Sequence, residues 1–393
     1  MTSTLNDDEN TGTETNAEAS ADVEEMSVEE LAEAREYGRL HLRCGLVDRA
    51  IDLGFLASMA WVLVGPVDER LAGFSLMSDP QSYLRLAALF VITFSLHLLV
   101  SFPLSFYSGH VLEHRFGLSN QSLGGWLSRY FKRNALGIAF GLFVFCGLYA
   151  IIWNVGQFWW LVAAAAFFAV SVVLGQLLPV LIIPLFYKVE PLDDEAIGQR
   201  LDRLAEGTGL SIEGVYRLEI SEETKKANAM LAGLGRTRRV LLGDTLLEAF
   251  TPDEIEVVFA HEIGHHVHRH IRKMIAQGVI TCALGFWLCD LLLMSGADAA
   301  EHAALPVTTL PLLMFLLTAF SMLLEPLQNG ISRHYERQCD RYALDQTGMY
   351  DAYQSAFRKL ARLNKDDPDP HPLEVFLFHD HPPTGQRVAM ADQ

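Results

Sequence analysis

The sequence predicts a mainly α membrane protein: a polytopic helical bundle of six spans, seven if the fourth run divides, joined to a smaller α+β unit. Three observations carry this. Half of the 393 residues are hydrophobic, above what a soluble chain of this size usually holds. Apolar runs near the roughly twenty residues that cross a bilayer recur along the chain. Two polar segments with helix and strand signals lie between and after them.

The first 30 residues are rich in Asp, Glu, Thr, Asn and Ser. They are too poor in apolar side chains to offset the entropy of ordering, so a disordered acidic tail is expected. It is not the basic-then-apolar pattern of a cleavable signal. Residues 31–187 are expected to form an N-terminal membrane domain with about four spans. A polar helix from Val28 to Arg49 would precede a short first span, Leu53 to Val67. Leu86 to Tyr107, Ala135 to Trp153 and Phe158 to Tyr187 follow, the last broken by Pro179 and Pro184. Trp153, Trp159 and Trp160 cluster where an aromatic belt belongs. Residues 188–393 form the remaining unit, which carries two further spans at 274–295 and 304–324.

Arg35, Arg39, Arg43 and Arg49 precede the first span, and Arg115, Arg129, Lys132 and Arg133 lie between the second and third. The positive-inside rule therefore puts both termini and the polar segments 188–273 and 331–393 on the cytoplasmic side, where they can share one site. The formal net charge of −18 argues against a nucleic-acid partner. The five cysteines are scattered and offer neither a disulfide framework nor a thiolate cluster.

Within 188–250, Asp193 to Gly207 has helical spacing and Val215 to Ile220 resembles a strand. Asn228 to Ala232 and Arg239 to Leu242 flank a Gly-Leu-Gly-Arg-Thr-Arg stretch and read as a hairpin. The edge of its first strand could pair with a peptide and bring Asn228 to the substrate backbone, and an ordinary hairpin fits equally well.

The segment His261-Glu262-Ile263-Gly264-His265 carries the chemistry. On a helix His261 and His265 share a face and can hold one metal, with Glu262 placed as general base. Thr251 with Glu254 fits a capping box and Pro252 suits the first helical position, so a helix is expected here. His266 and His268 point elsewhere. Catalytic zinc needs a third protein ligand. Glu336 can supply it, with Asp340 one turn on holding a ligating histidine from behind; a charged surface helix laced with Arg333, Arg337 and Arg341 is the plain alternative. Near the C-terminus His381 and Arg387 could stabilise an oxyanion, in what is otherwise a proline-bounded loop.

Taken together, these motifs resemble the integral-membrane gluzincin metalloproteases, closest to the type I CAAX prenyl endopeptidase branch, with the HtpX-type heat-shock proteases a related one. The resemblance rests on His261-Glu262-x-x-His265, Ser332-Arg333-x-x-Glu336-x-x-x-Asp340, Ala227-Asn228-Ala229, Val240-Leu241-Leu242-x-Asp244-Thr245, His381-Pro382-Pro383-x-x-x-Arg387 and the loop from His114 to Gln121. It implies a zincin-type α+β catalytic domain, one Zn2+ per chain, helices enclosing a chamber, and a peptide or protein substrate at the lipid bilayer. His261, His265 and Glu336 inherit the ligand role and Glu262 that of base. Asn228, His381 and Arg387 inherit contacts to substrate or transition state. Quality-control cleavage of membrane proteins is the neighbouring function. A metal-binding transporter or scaffold, using His97, Gln176, Asp290 and Glu325, is the rival from another class.

Overall fold

Long helices form where the apolar runs lie. A computed structural model of the chain describes residues 25–210, 212–233, 238–294 and 299–392. The first 24 residues, where the acidic tail is expected, lie outside them. Helix α1 (Val28–Ser58) continues through a π-helical turn, Met59–Leu63, into α2 (Val64–Ala72). The expected polar helix and short first span are thus one rod, because no proline interrupts the sequence before Pro66. Arg49, at the end of the expected polar helix, and Asp52, just before the expected span, meet partners within the bundle. Arg49 pairs with Glu325 at 2.6 Å and Asp52 with His97 at 2.7 Å.

Next come α3 (Tyr83–Phe106), a second π-helical stretch and the short α4 (Glu113–Arg115). Helices α5 (Leu123–Val155) and α6 (Trp159–Leu177) pack on each other across Gly156, whose φ of 68° only glycine adopts without strain. The fourth run does not divide into two spans at its prolines. It leaves α6 at Leu177 through π and 3-10 turns as far as Leu185. Five stretches (Val28–Ala72, Tyr83–Arg115, Leu123–Leu185, His270–Met294 and Val307–Thr347) are long and apolar enough to cross a membrane. That is one fewer than the six expected, because Leu123–Leu185 counts as one stretch while holding both α5 and α6.

Trp159 departs from the expected belt. It is fully buried and donates to Asp290 at 2.6 Å, while Trp153 donates to the Leu305 carbonyl at 2.9 Å. A buried indole N–H needs such a partner. Asp290 also meets His302, so the polar groups His97, Asp290 and Glu325 that suggested a transport path are engaged across helices. The outside of the bundle is apolar: Trp61, Phe143, Ile280 and Leu323 are each more than 60% exposed, a surface suited to lipid.

The remaining polar segment builds β1 (Lys188–Pro191), α7 (Glu195–Ala205), β2 (Ile212–Glu219), β3 (Ala229–Ala232) and β4 (Arg238–Gly243). The sheet order is β1-β2-β4-β3, antiparallel except for the β2–β4 pair. The expected hairpin is β3–β4, and β3 is an edge strand. Asp244 opens α8 (Asp244–Ala249) and ties β2 to it. Its buried carboxylate accepts from the amides of Ile220, Ser221 and Thr245 and from the Ser221 hydroxyl.

Helix α9 (Pro252–Val267) precedes α10 (His270–Met294) and α11 (Ala299–Ala303), with residues 295–298 of the intervening loop outside the described set. Helix α12 (Leu310–Thr347) is the last span and more: its 38 residues extend about 57 Å at 1.5 Å each, well beyond a hydrocarbon core of ~30 Å. Helices α13 (Tyr350–Asn364), α14 (Pro372–Phe378) and α15 (Thr384–Val388) follow: α13 packs on α9, α14 on α12 and α15 on α13.

Candidate active site

The site is assembled from α9 outward. Thr251 N–H donates to Glu254 Oε2 at 2.7 Å and Glu254 N–H to Thr251 Oγ1 at 3.3 Å, closing the capping box with Pro252 at the first helical position. Glu254 is 3% exposed and also accepts from Ser355 and from Lys359 (2.7 Å) on α13. One carboxylate therefore starts the helix and anchors it to its neighbour.

Helices α9 and α12 touch where Gly264 meets Cys339. A Cβ at Gly264 would lie 2.9 Å from the Cys339 Cα, closer than such atoms approach. This contact brings Glu336 between the two histidines, with Oε2 3.1 Å from His261 Nε2 and Oε1 3.3 Å from His265 Nε2. A tetrahedral ion with bonds of about 2.0–2.2 Å separates its donor atoms by roughly 3.3 Å, so these three side chains fit one zinc ion. Glu336 is 4% exposed, and apart from the nearby histidine rings its Oε2 meets no hydrogen-bond donor, as suits an oxygen placed for a metal. Gly264→Ala is expected to part the helices and lower metal content at least tenfold, measured by elemental analysis, with α9 otherwise helical.

Each histidine is oriented from behind. His261 Nδ1 lies 2.9 Å from Asp340 Oδ1, as expected, and Asp340 is fully buried. Arg387 departs from expectation. Its Nε and Nη2 bond both oxygens of Asp340 at 3.0 and 2.5 Å, and its guanidinium lies 3.9 Å over the Phe357 ring. Its Nη2 also lies 3.2 Å from His261 Nδ1, so it backs that ring at the edge of the cleft. Burial disfavours a charged His261 ring, but Asp340 and Glu336 outweigh it and raise its pKa to about 9. A metal entering at neutral pH therefore displaces a proton.

His265 has a support that the sequence did not reveal. Its Nδ1 is 3.2 Å from His270 Nδ1, and His270 Nε2 is 2.9 Å from Gln338 Oε1. Gln338 oxygen only accepts, so His270 carries its proton on Nε2 and accepts from His265, leaving His265 Nε2 bare toward Glu336. His270 is fully buried and stacked on Tyr335 at 4.3 Å. Its spacing from His265 means nothing on one continuous helix; the chain reverses between them at Arg269, with φ 56°. Cys339, also missed, is fully buried with its sulfur 3.6 Å from His270 Nδ1. A thiolate, His261 and His265 could approach one ion, their ligand atoms lying within 4.8 Å of one another. Glu336 is the group whose oxygens face both Nε2 atoms.

A cavity of about 630 Å3 opens in front, with His261, Glu262, Asn228, His381 and Arg387 on its wall. Glu262 Oε2 accepts from the Leu231 amide of edge strand β3 at 3.4 Å. Asn228, just before that strand, is exposed to the cavity. His381 Nε2 is 3.5 Å from Glu336 Oε2, and its Nδ1 is 2.8 Å from Asp380. The loop bearing it is clamped by α12: Arg333 donates to the carbonyls of Val375 (2.8 Å) and His379, and Asn329 to that of Leu377 (3.0 Å). The opposite wall comes from one face of α1, with Gly38, His41, Leu42, Gly45 and Arg49. The membrane half of the chain thus supplies part of the cleft.

A membrane-embedded helical frame around paired histidines, a glutamate facing them and an adjacent carboxylate is the arrangement of a class of metallopeptidase. Residues 191–393 match peptidase family M48, and residues 14–188 match the CAAX prenyl protease N-terminal region, described as five membrane helices. The chain belongs to peptidase family M48 and is an integral-membrane metalloendopeptidase acting on peptides or proteins. It is 26% identical to an uncharacterized metalloprotease, YhfN, of Bacillus subtilis, covering 94% of this chain and 87% of that one. It is 29% identical to CAAX prenyl protease 1 of Saccharomyces cerevisiae (76% and 70% covered) and 24% identical to the human homolog (74% and 70%). The crystal structure of S. mikatae Ste24p superposes with a TM-score of 0.79 at 24% identity, over 93% of this chain and 89% of that one.

Proposed function

We propose that this protein is a zinc-dependent, CAAX prenyl protease-like endopeptidase that cuts membrane-associated chains, with one Zn2+ held by His261, His265 and Glu336. The observation that carries it is Glu262 beside that ligand pair and against the free edge of β3, in a cleft walled partly by a membrane helix. A zinc ion held there would supply Lewis acidity toward a water and a peptide carbonyl. Glu262 takes the proton of the attacking water and delivers it to the leaving amine. A substrate strand laid on β3 presents its backbone to Asn228. His381, on the open side, donates to the developing oxyanion. Asp340 with Arg387, and His270 with Gln338, hold the two ligand rings in the tautomer that binds metal. The basic residues before the first span and between the second and third favour a cytoplasmic placement of the catalytic segments.

Asp380 bonded to its ring raises the His381 pKa above the ordinary histidine value, against burial. The imidazolium is the donor, so its contribution is present below that raised pKa and lost above it. The alkaline limb of the pH–rate profile is expected above 6.5, and Asp380→Asn is expected to move it down toward 6.5.

The test is cleavage of two peptides by the detergent-purified protein: one ending in a farnesylated cysteine motif, the other an unmodified unfolded membrane segment. Preference of at least tenfold for the farnesylated peptide, abolished by a zinc chelator and restored by zinc, is expected. Equal cleavage of both would favour quality-control cleavage of membrane proteins instead.

A further inference from the structure

A separate cavity of about 1060 Å3 lies against the other zinc-site histidine: His265 is on its wall, while His261 and Glu262 face the catalytic cleft. Its lining is strongly cationic. Arg238, at the start of β4, is 9% exposed, and its Nε has no hydrogen-bond partner. One Nη donates to His266 Nδ1 at 2.7 Å. Arg269 and Arg272 are exposed on the same wall, and among the described residues none of the three arginines pairs with a carboxylate. Glu206 is the one carboxylate among the lining residues. Arg269 sits at φ 56°, a backbone conformation that glycine would adopt without strain.

The other part of the wall is apolar. Val267, Ile271 and Ile275 line it, and Val267 and Ile275 are both 38% exposed. Ile271 and Ile275 stand one turn apart at the beginning of α10, which is long and apolar enough to enter the membrane. Guanidinium groups thus mark the end of a membrane helix and aliphatic side chains lead away from them along it. A soluble anion would need only the first; a phospholipid uses both.

We propose that this cavity binds the phosphate headgroup of an anionic phospholipid. Arg238, Arg269 and Arg272 hold the phosphate, and Val267, Ile271 and Ile275 receive the first part of the acyl chain. The cavity shares His265 with the proposed metal centre but neither Glu262 nor Glu336, and the phosphate contacts are made by other residues.

Native mass spectrometry of the full-length zinc-loaded protein, titrated with dioctanoyl phosphatidic acid, tests this. One lipid retained per chain is expected, saturably, and more weakly as ionic strength rises. The double substitution Arg269→Gln/Arg272→Gln changes exposed residues and is expected to weaken retention at least tenfold with metal content unchanged; Arg272→Gln alone is expected to weaken it less. Retention unchanged in the double variant, or equal retention of dioctanoyl phosphatidylcholine, would overturn the proposal. Inorganic phosphate that displaces the lipid at equal concentration would overturn the lipid assignment and identify a soluble phosphate ligand.

Discussion

Glu262→Gln is expected to keep its metal and lose roughly 10^2–10^4 in kcat, the usual contribution of a general base. The substitution preserves shape, and a glutamine oxygen still accepts from the Leu231 amide, so the cleft and β3 remain in place. What disappears is the ability to take a proton. His265→Ala is expected to lose metal and activity together, because the proposed three-ligand site would retain only two. Elemental analysis beside peptide cleavage separates the two outcomes. Wild-type turnover in Glu262→Gln would remove Glu262 from the mechanism whatever the metal content.

Arg387→Ala is expected to be as damaging by a different route. It leaves the fully buried Asp340 carboxylate without its bidentate partner. Removing one member of a buried ion pair costs about 3–5 kcal/mol, and loss of a group that orients a ligand lowers metal affinity roughly 10–100-fold. Thermal unfolding and competition with a zinc indicator measure these. Had Arg387 touched the oxyanion, kcat would fall while melting temperature and zinc affinity stayed put. Arg387→Lys keeps the charge but not the fork, and is expected to fall between wild type and alanine.

These two cases show how far the sequence could be read. Thr251, Pro252, Glu254 and the spacing of His261 and His265 are local signals, written within one helix, and the structure forms that helix as they require. Asp340 is one turn from Glu336, and its contact with His261 follows once α12 is laid on α9. Arg387 lies 47 residues beyond Asp340, and its position depends on α15 packing on α13 and reaching back to α12, which no periodicity encodes. His270 is hidden in the same way, by a reversal at Arg269 that a non-glycine residue does not advertise. The merging of the polar helix and the first span into one rod also escaped, because the charged residues up to Arg49 read as a separate polar helix until Glu325 and His97 are seen to meet Arg49 and Asp52. Composition finds where chains turn polar; it does not find the partners that let a polar residue stay inside.

Helix α12 is both the last membrane stretch and the carrier of Glu336, without a break between them. It follows that no water-soluble catalytic fragment can be excised from this protein. A cut anywhere between Leu310 and Glu336 severs a ligand from the rod that aims it, and a cut before it carries the apolar surfaces of α10 and α12 into water. Reconstitution with lipid or detergent is therefore a condition of any assay of the peptidase, including one on a soluble peptide.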